Sequence, residues 1–171
     1  MVTPSEVGAR AELEVATALA RAGFAVYLPL LNGHGRVDLV FEGADGMLKR
    51  AQCKTSRLKD GCISFRTCSN TGNVPADYRG QIDVFAVYSP EMDAVYVVPV
   101  DDVGTRYGYL RVDKPRSSQQ QGIRWAEPYR LDHLVARHSK ADGHPPPRAR
   151  THRRPHHARR RLLVGARRLR T

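Results

Sequence analysis

A chain of 171 residues, 41% of them hydrophobic, is about one domain's worth and has enough apolar material for a single core. No apolar run is long enough to span a bilayer, and residues 1–10 lack the basic, apolar, small-residue order of a secretory signal, so a soluble cytoplasmic protein is expected. The formal charge of +11 points to an anionic partner, but residues 139–171 hold 11 of the 28 Lys and Arg and one acid, Asp142, which leaves the rest nearly neutral.

The chemistry of residues 1–138 must therefore be read from motifs rather than from pI. Cys53, Cys62 and Cys68 are an odd number without a CxxC pair, which supports neither a disulfide framework nor a zinc ribbon.

Thr3, Pro4 and Glu6 form a helix start: a capping threonine, a proline suited to the first turn and a glutamate that completes a capping box. Val7, Ala11, Val15, Ala18, Leu19 and Ala22 then recur at helical spacing, and Gly23 is placed to end the helix. Strand material follows at Phe24 to Leu28 and at Val37 to Glu42, separated by a Gly-rich loop, Asn32 to Arg36.

The segments Val37 to Glu42 and Met47 to Thr55 flank Ala44, Asp45 and Gly46, a hairpin pattern with Gly46 in the left-handed conformation. With those residues as the loop, residue 43 pairs with 47 and Asp38 lies opposite Gln52. Val37, Leu39, Phe41, Ala51 and Cys53 then share an apolar face, while Asp38, Arg50, Gln52 and Lys54 share the other. Cys62 to Thr67, Ile82 to Ser89, Ala94 to Val100 and Tyr109 to Val112 are predicted strands, and Leu131 to His138 a terminal helix. From residue 139 onward Pro, His and Arg dominate, a composition that cannot bury enough surface to fold, so a disordered basic tail is expected beyond a domain of residues 1–138.

Hydrolysing a phosphodiester takes a divalent cation on oxygen ligands, a water beside it and a cation to stabilise developing charge. The hairpin offers an anionic ligand in Asp38, neutral oxygens in the Gln52 side chain and the Cys53 backbone carbonyl, and Lys54 about 6.6 Å along from Gln52 on the same face. That set suits Mg²⁺, with Mn²⁺ as a substitute. Lys49, Arg50, Arg57, Lys59 and Arg79 are candidate phosphate contacts, and the segment Ser69 to Gly80, with Tyr78, a candidate substrate loop. His34 is a candidate proton carrier, though an ordinary loop histidine is the simpler reading.

At Arg36-Val37-Asp38 and Gln52-Cys53-Lys54 the chain resembles the PD-(D/E)xK nucleases, and more closely their subgroup of cyanobacterial intron-encoded homing endonucleases, which use Gln in the tripeptide. Gly8 to Val15, Gln52 to Ser56 and Gln81 to Tyr88 also resemble that subgroup. Helical geometry leaves Glu12 and Glu14 equivalent, on opposite flanks of the apolar stripe, and the resemblance assigns the site role to Glu12.

The resemblance implies an α/β, restriction-endonuclease-like core with a mixed β-sheet and flanking helices, and a metal-dependent endonuclease that cleaves DNA. Its catalytic set is Glu12, Asp38, Gln52 and Lys54. Two departures stand out: Val37 where the family name places proline, and Gln52 in place of an acid, which lowers the charge at the metal site. A Holliday-junction resolvase within the same class, and a nucleic-acid-binding module without catalysis, are the competing readings. A homodimer or larger homo-oligomer is expected if two strands are cut together.

Overall fold

The computed structural model describes residues 3–31, 35–43, 45–69, 74–115 and 121–141. Helix α1 (Pro4–Arg21) starts with the capping box: the Glu6 backbone N–H donates to Thr3 Oγ1 at 3.3 Å and the Thr3 backbone N–H to Glu6 Oε2 at 2.7 Å. Such a cap stabilises a helix by about 1 kcal/mol. Gly23, at φ 90°, carries the chain out of the helix in the left-handed region that glycine adopts readily. Ala11, Val15 and Leu19 form the buried stripe, while Val7 is exposed.

Strands β1 (Val26–Tyr27), β2 (Leu39–Glu42), β3 (Leu48–Thr55), β8 (Val84–Ser89) and β9 (Ala94–Pro99) build a five-stranded sheet in the order β1-β2-β3-β8-β9. It is mixed, because β3 and β8 run parallel and the other neighbours antiparallel. All of β8 and most of β9 are buried, which explains their nearly unbroken apolar sequences.

The connection from β3 to β8 carries β4 (Arg57–Lys59), β5 (Cys62–Arg66), β6 (Cys68–Ser69) and β7 (Ala76–Asp77). With β10 (Tyr107–Arg111), β4 and β5 make a second, antiparallel sheet in the order β10-β5-β4, while β6 pairs with β7. Helix α2 (Leu131–Ala141) closes the described chain and runs three residues past the boundary expected at residue 138. Among the described residues, no helix is long and apolar enough to cross a membrane.

Two cores result. Ala11, Val15 and Leu19 pack on Leu39, Phe41, Ala51 and Cys53, with Leu131 of α2 in the same cluster, so both helices cover one face of the large sheet. The opposite face is covered by the small sheet through Ile63, Phe65 and Leu110, which meet Phe85, Val87 and Val98. Phe65 lies edge-on to Phe85, ring centroids 5.9 Å apart, and also covers Gly108, where an added Cβ would fall 2.4 Å from the Phe65 ring. Gly108→Ala must therefore displace Phe65, and a loss of about 1–3 kcal/mol is expected in urea unfolding.

Candidate active site

The predicted hairpin register is the observed one: Leu39 pairs with Ala51 and Glu42 with Leu48, which places Asp38 opposite Gln52. Gly46 sits at φ 70°, and the Gly43 N–H donates to the Met47 carbonyl at 2.8 Å. Asp38 stands immediately before β2, its N–H donating to the Ala51 carbonyl at 2.9 Å. Because β2 reaches no further, β3 beyond Gln52 has an open edge on that side among the described residues, and the side chains of interest gather there.

Two donors converge on Asp38 Oδ2: Gln52 Nε2, and the Cys53 backbone N–H at 2.7 Å. With Nε2 so engaged, the Gln52 amide keeps its carbonyl oxygen as a free acceptor. In an extended strand the N–H and C=O of one residue leave by the same edge, so the Cys53 carbonyl also faces the open side.

Burial pushes the Asp38 carboxyl up to about 6, helped by the negative charge of Glu12 and opposed by the Cys53 N–H, Lys54 and Gln52. The Cys53 thiol is raised too, first by its own burial and then by Asp38 and Glu12. Glu12, on α1, therefore acts on the same point as Asp38. Glu14 is turned instead toward Arg10, 3.9 Å away, so the two glutamates that helical geometry left equivalent have different surroundings.

Lys54 lies along the strand from Gln52, its Nζ donating to the Tyr78 hydroxyl at 3.2 Å and sitting 4.9 Å from the ring centroid. Arg36 Cζ is 4.8 Å from the same ring, with Nη1 donating to the Asp77 carbonyl at 3.5 Å. Tyr78 is itself buried and edge-on to Phe85, 5.6 Å between centroids, so the core fixes the ring that both cations rest on. Two carboxylates, Asp38 and Glu12, and two cations, Lys54 and Arg36, thus gather around this stretch of β3.

The roles of Tyr78 and Arg36 are not readable from the sequence. Tyr78 reaches Lys54 across 24 residues of chain, and the only cue was its place in a polar segment between predicted strands.

The candidate phosphate contacts divide by their surroundings. Arg50 is tied to Asp83 by Nη2–Oδ1 and Nε–Oδ2 contacts of 2.8 and 3.1 Å, Lys49 to Asp45 at 2.8 Å, and Arg79 to the Val103 carbonyl, Asp77 and Asp101. Arg57 and Lys59 are exposed on β4. His34, Asn70 and Asn73 lie outside the described residues, as does the tail from residue 142.

A family model for PD-(D/E)XK endonuclease matches residues 2–132. The chain belongs to that family. This PD-(D/E)XK endonuclease is also similar in structure to a bacterial homing endonuclease, I-Ssp6803I, with a TM-score of 0.57 and 22% sequence identity over 84% of this chain and 98% of that one. At that identity the likeness is one of fold, and it covers the mixed sheet and its helices. No curated protein matches the chain. The family makes the protein a nuclease.

Proposed function

We propose that this PD-(D/E)XK nuclease cleaves DNA phosphodiesters with one divalent cation, Mg²⁺ or Mn²⁺, held at the open edge of β3. The observation that carries this reading is the Asp38 carboxylate: half-buried, raised to about 6, and repelled by Glu12 across a site that otherwise supplies only neutral oxygens. A buried carboxylate facing a second one calls for a cation.

The donor chemistry suits a hard ion that keeps several waters. Asp38 would hold it, with the Gln52 and Cys53 carbonyl oxygens as neutral donors and Glu12 reaching it directly or through water. Zinc fits poorly. Among the described residues no three His, Cys, Asp or Glu gather, and the Cys53 side chain is packed into the apolar core under α1. When bound, the cation supplies charge neutralisation at the phosphate and acidity to a coordinated water.

The chain's own residues do the rest. Gln52 Nε2 and the Cys53 N–H fix Asp38 Oδ2, so the ligand is pre-oriented. Lys54, steadied by Tyr78, presents its ammonium to the attacking water and to charge developing on the phosphate. The closed, apolar side formed by α1 prevents approach from below, so substrate must come to the edge.

Metal dependence tests the reading. Wild type should nick supercoiled plasmid in Mg²⁺ or Mn²⁺ and stop in chelator. Binding that is unaffected by chelator, with no nicking in either cation, would favour the noncatalytic module instead.

A further inference from the structure

We infer that the outer face of the small sheet is a second contact surface, one that grips duplex DNA by its phosphates next to the catalytic edge; the inference rests on the nuclease reading. Strict alternation sends Leu58, Ile63, Phe65 and Leu110 into the core and their neighbours outward. The outward positions include Arg57 and Lys59 on β4, Arg66 on β5, and Tyr107, Tyr109 and Arg111 on β10. The two others, Cys62 and Ser64, are neutral, so this face has four cations and no carboxylate.

Of the neighbouring acids, Asp60 and Asp113 lie at the far end, where Asp113 packs on Gly61, and Glu91 caps the outer edge of β4, accepting from the Leu58 N–H at 3.3 Å. The cationic end is the one that joins the catalytic strand, because only Thr55 and Ser56 separate Lys54 from Arg57. At about 3.3 Å per residue the two are at most roughly 10 Å apart along the chain.

A groove of about 460 Å³ lies at the Arg57 end, lined by Thr55, Ser56, Arg57, Ser64, Arg66 and Tyr107 together with the apolar Val7 and Phe65. The Ser56 hydroxyl beneath the groove is buried without a hydrogen-bond partner among the described residues.

The tyrosines indicate what kind of nucleic acid fits. Tyr107 and Tyr109 stack on each other at 6.2 Å and 29°, and Arg66 Cζ lies 5.7 Å over the Tyr107 ring. Tyr107 lies between Tyr109 and Arg66, and both tyrosines are about half exposed, so their hydroxyl edges are open to the phosphate oxygens that the cations of this face favour. A duplex backbone is the ligand this surface suits.

The test is a salt titration of fluorescein-labelled mixed-sequence duplex, in chelator, with the full chain. Each phosphate contact contributes about 0.9 to the slope of log affinity against log salt. Arg57→Gln/Arg66→Gln is expected to bind at least roughly tenfold more weakly and to flatten the slope by about 1.8. Arg10→Gln/Arg21→Gln removes the same charge from exposed positions on α1 and is expected to keep the slope, with the basic tail common to all three proteins.

Unchanged binding by the first variant, equal losses in both, or no duplex binding by wild type would each overturn the proposal. Because binding is read in chelator, a wild type that binds but does not nick plasmid in Mg²⁺ contradicts the catalytic reading and not this one.

Discussion

Asp38→Asn is expected to make the metal-free protein more stable at neutral pH while removing its nuclease activity. The carboxyl is raised from 3.8 to about 6 on folding, chiefly by burial. A raised acid favours the fold only while protonated, so its contribution is complete below about pH 4, falls as pH climbs through about 6, and stays lost above. The wild-type protein should therefore lose on the order of 2 kcal/mol across that window, a slope that the asparagine variant lacks.

In a thermal melt at pH 7 without metal, the variant should unfold several degrees higher, roughly 4–8 °C. Saturating Mg²⁺ should then raise the wild type alone, by about 2.7 kcal/mol at a hundred times the dissociation constant. A variant that melts lower than wild type would mean that the bonds from Gln52 and Cys53 outweigh the burial of the charge.

The second large effect is expected at Lys54. Its ammonium is held against Tyr78, with no carboxylate as its hydrogen-bond partner among the described residues, so its charge is available to a phosphate. Lys54→Ala should lower kcat by about 10²- to 10³-fold, the usual loss on removing one preorganised donor from a reacting centre. Metal affinity should hold or tighten, because a neighbouring positive charge is gone.

Tyr78→Phe keeps the ring under the ammonium and loses only the hydroxyl, so a drop of roughly 3- to 10-fold is expected, near the worth of one hydrogen bond. Single-turnover nicking at saturating plasmid separates these cases. A Lys54→Ala enzyme of unchanged rate would remove Lys54 from the chemistry.

What the sequence made legible was local. The turn at Asp45 and Gly46, with apolar residues alternating on either side, fixed the hairpin register, and with it the meeting of Asp38 and Gln52. The capping box of Thr3 and Glu6 and the helix stop at Gly23 were equally local.

What escaped depended on distant partners or on short elements. Strand β4 has three residues, two of them charged, too short for an alternating pattern, although its turn at Asp60 and Gly61, both left-handed at φ 49° and 68°, is a strong hairpin dipeptide. The pairing of Arg50 with Asp83 follows from the parallel alignment of β3 and β8, which no local pattern announces. That both described helices flank the same face of the sheet, with the antiparallel sheet covering the other, depends on the same long-range packing.

The central claim is that this nuclease cuts DNA through Asp38 at the edge of β3. The most direct measurement is nicking of supercoiled plasmid in Mg²⁺ by wild type and Asp38→Asn at matched concentration, each checked for folding by its melt. The wild type should cut, and a folded, more heat-stable Asp38→Asn should not cut above background; equal cutting by the two proteins would remove Asp38 from the reaction.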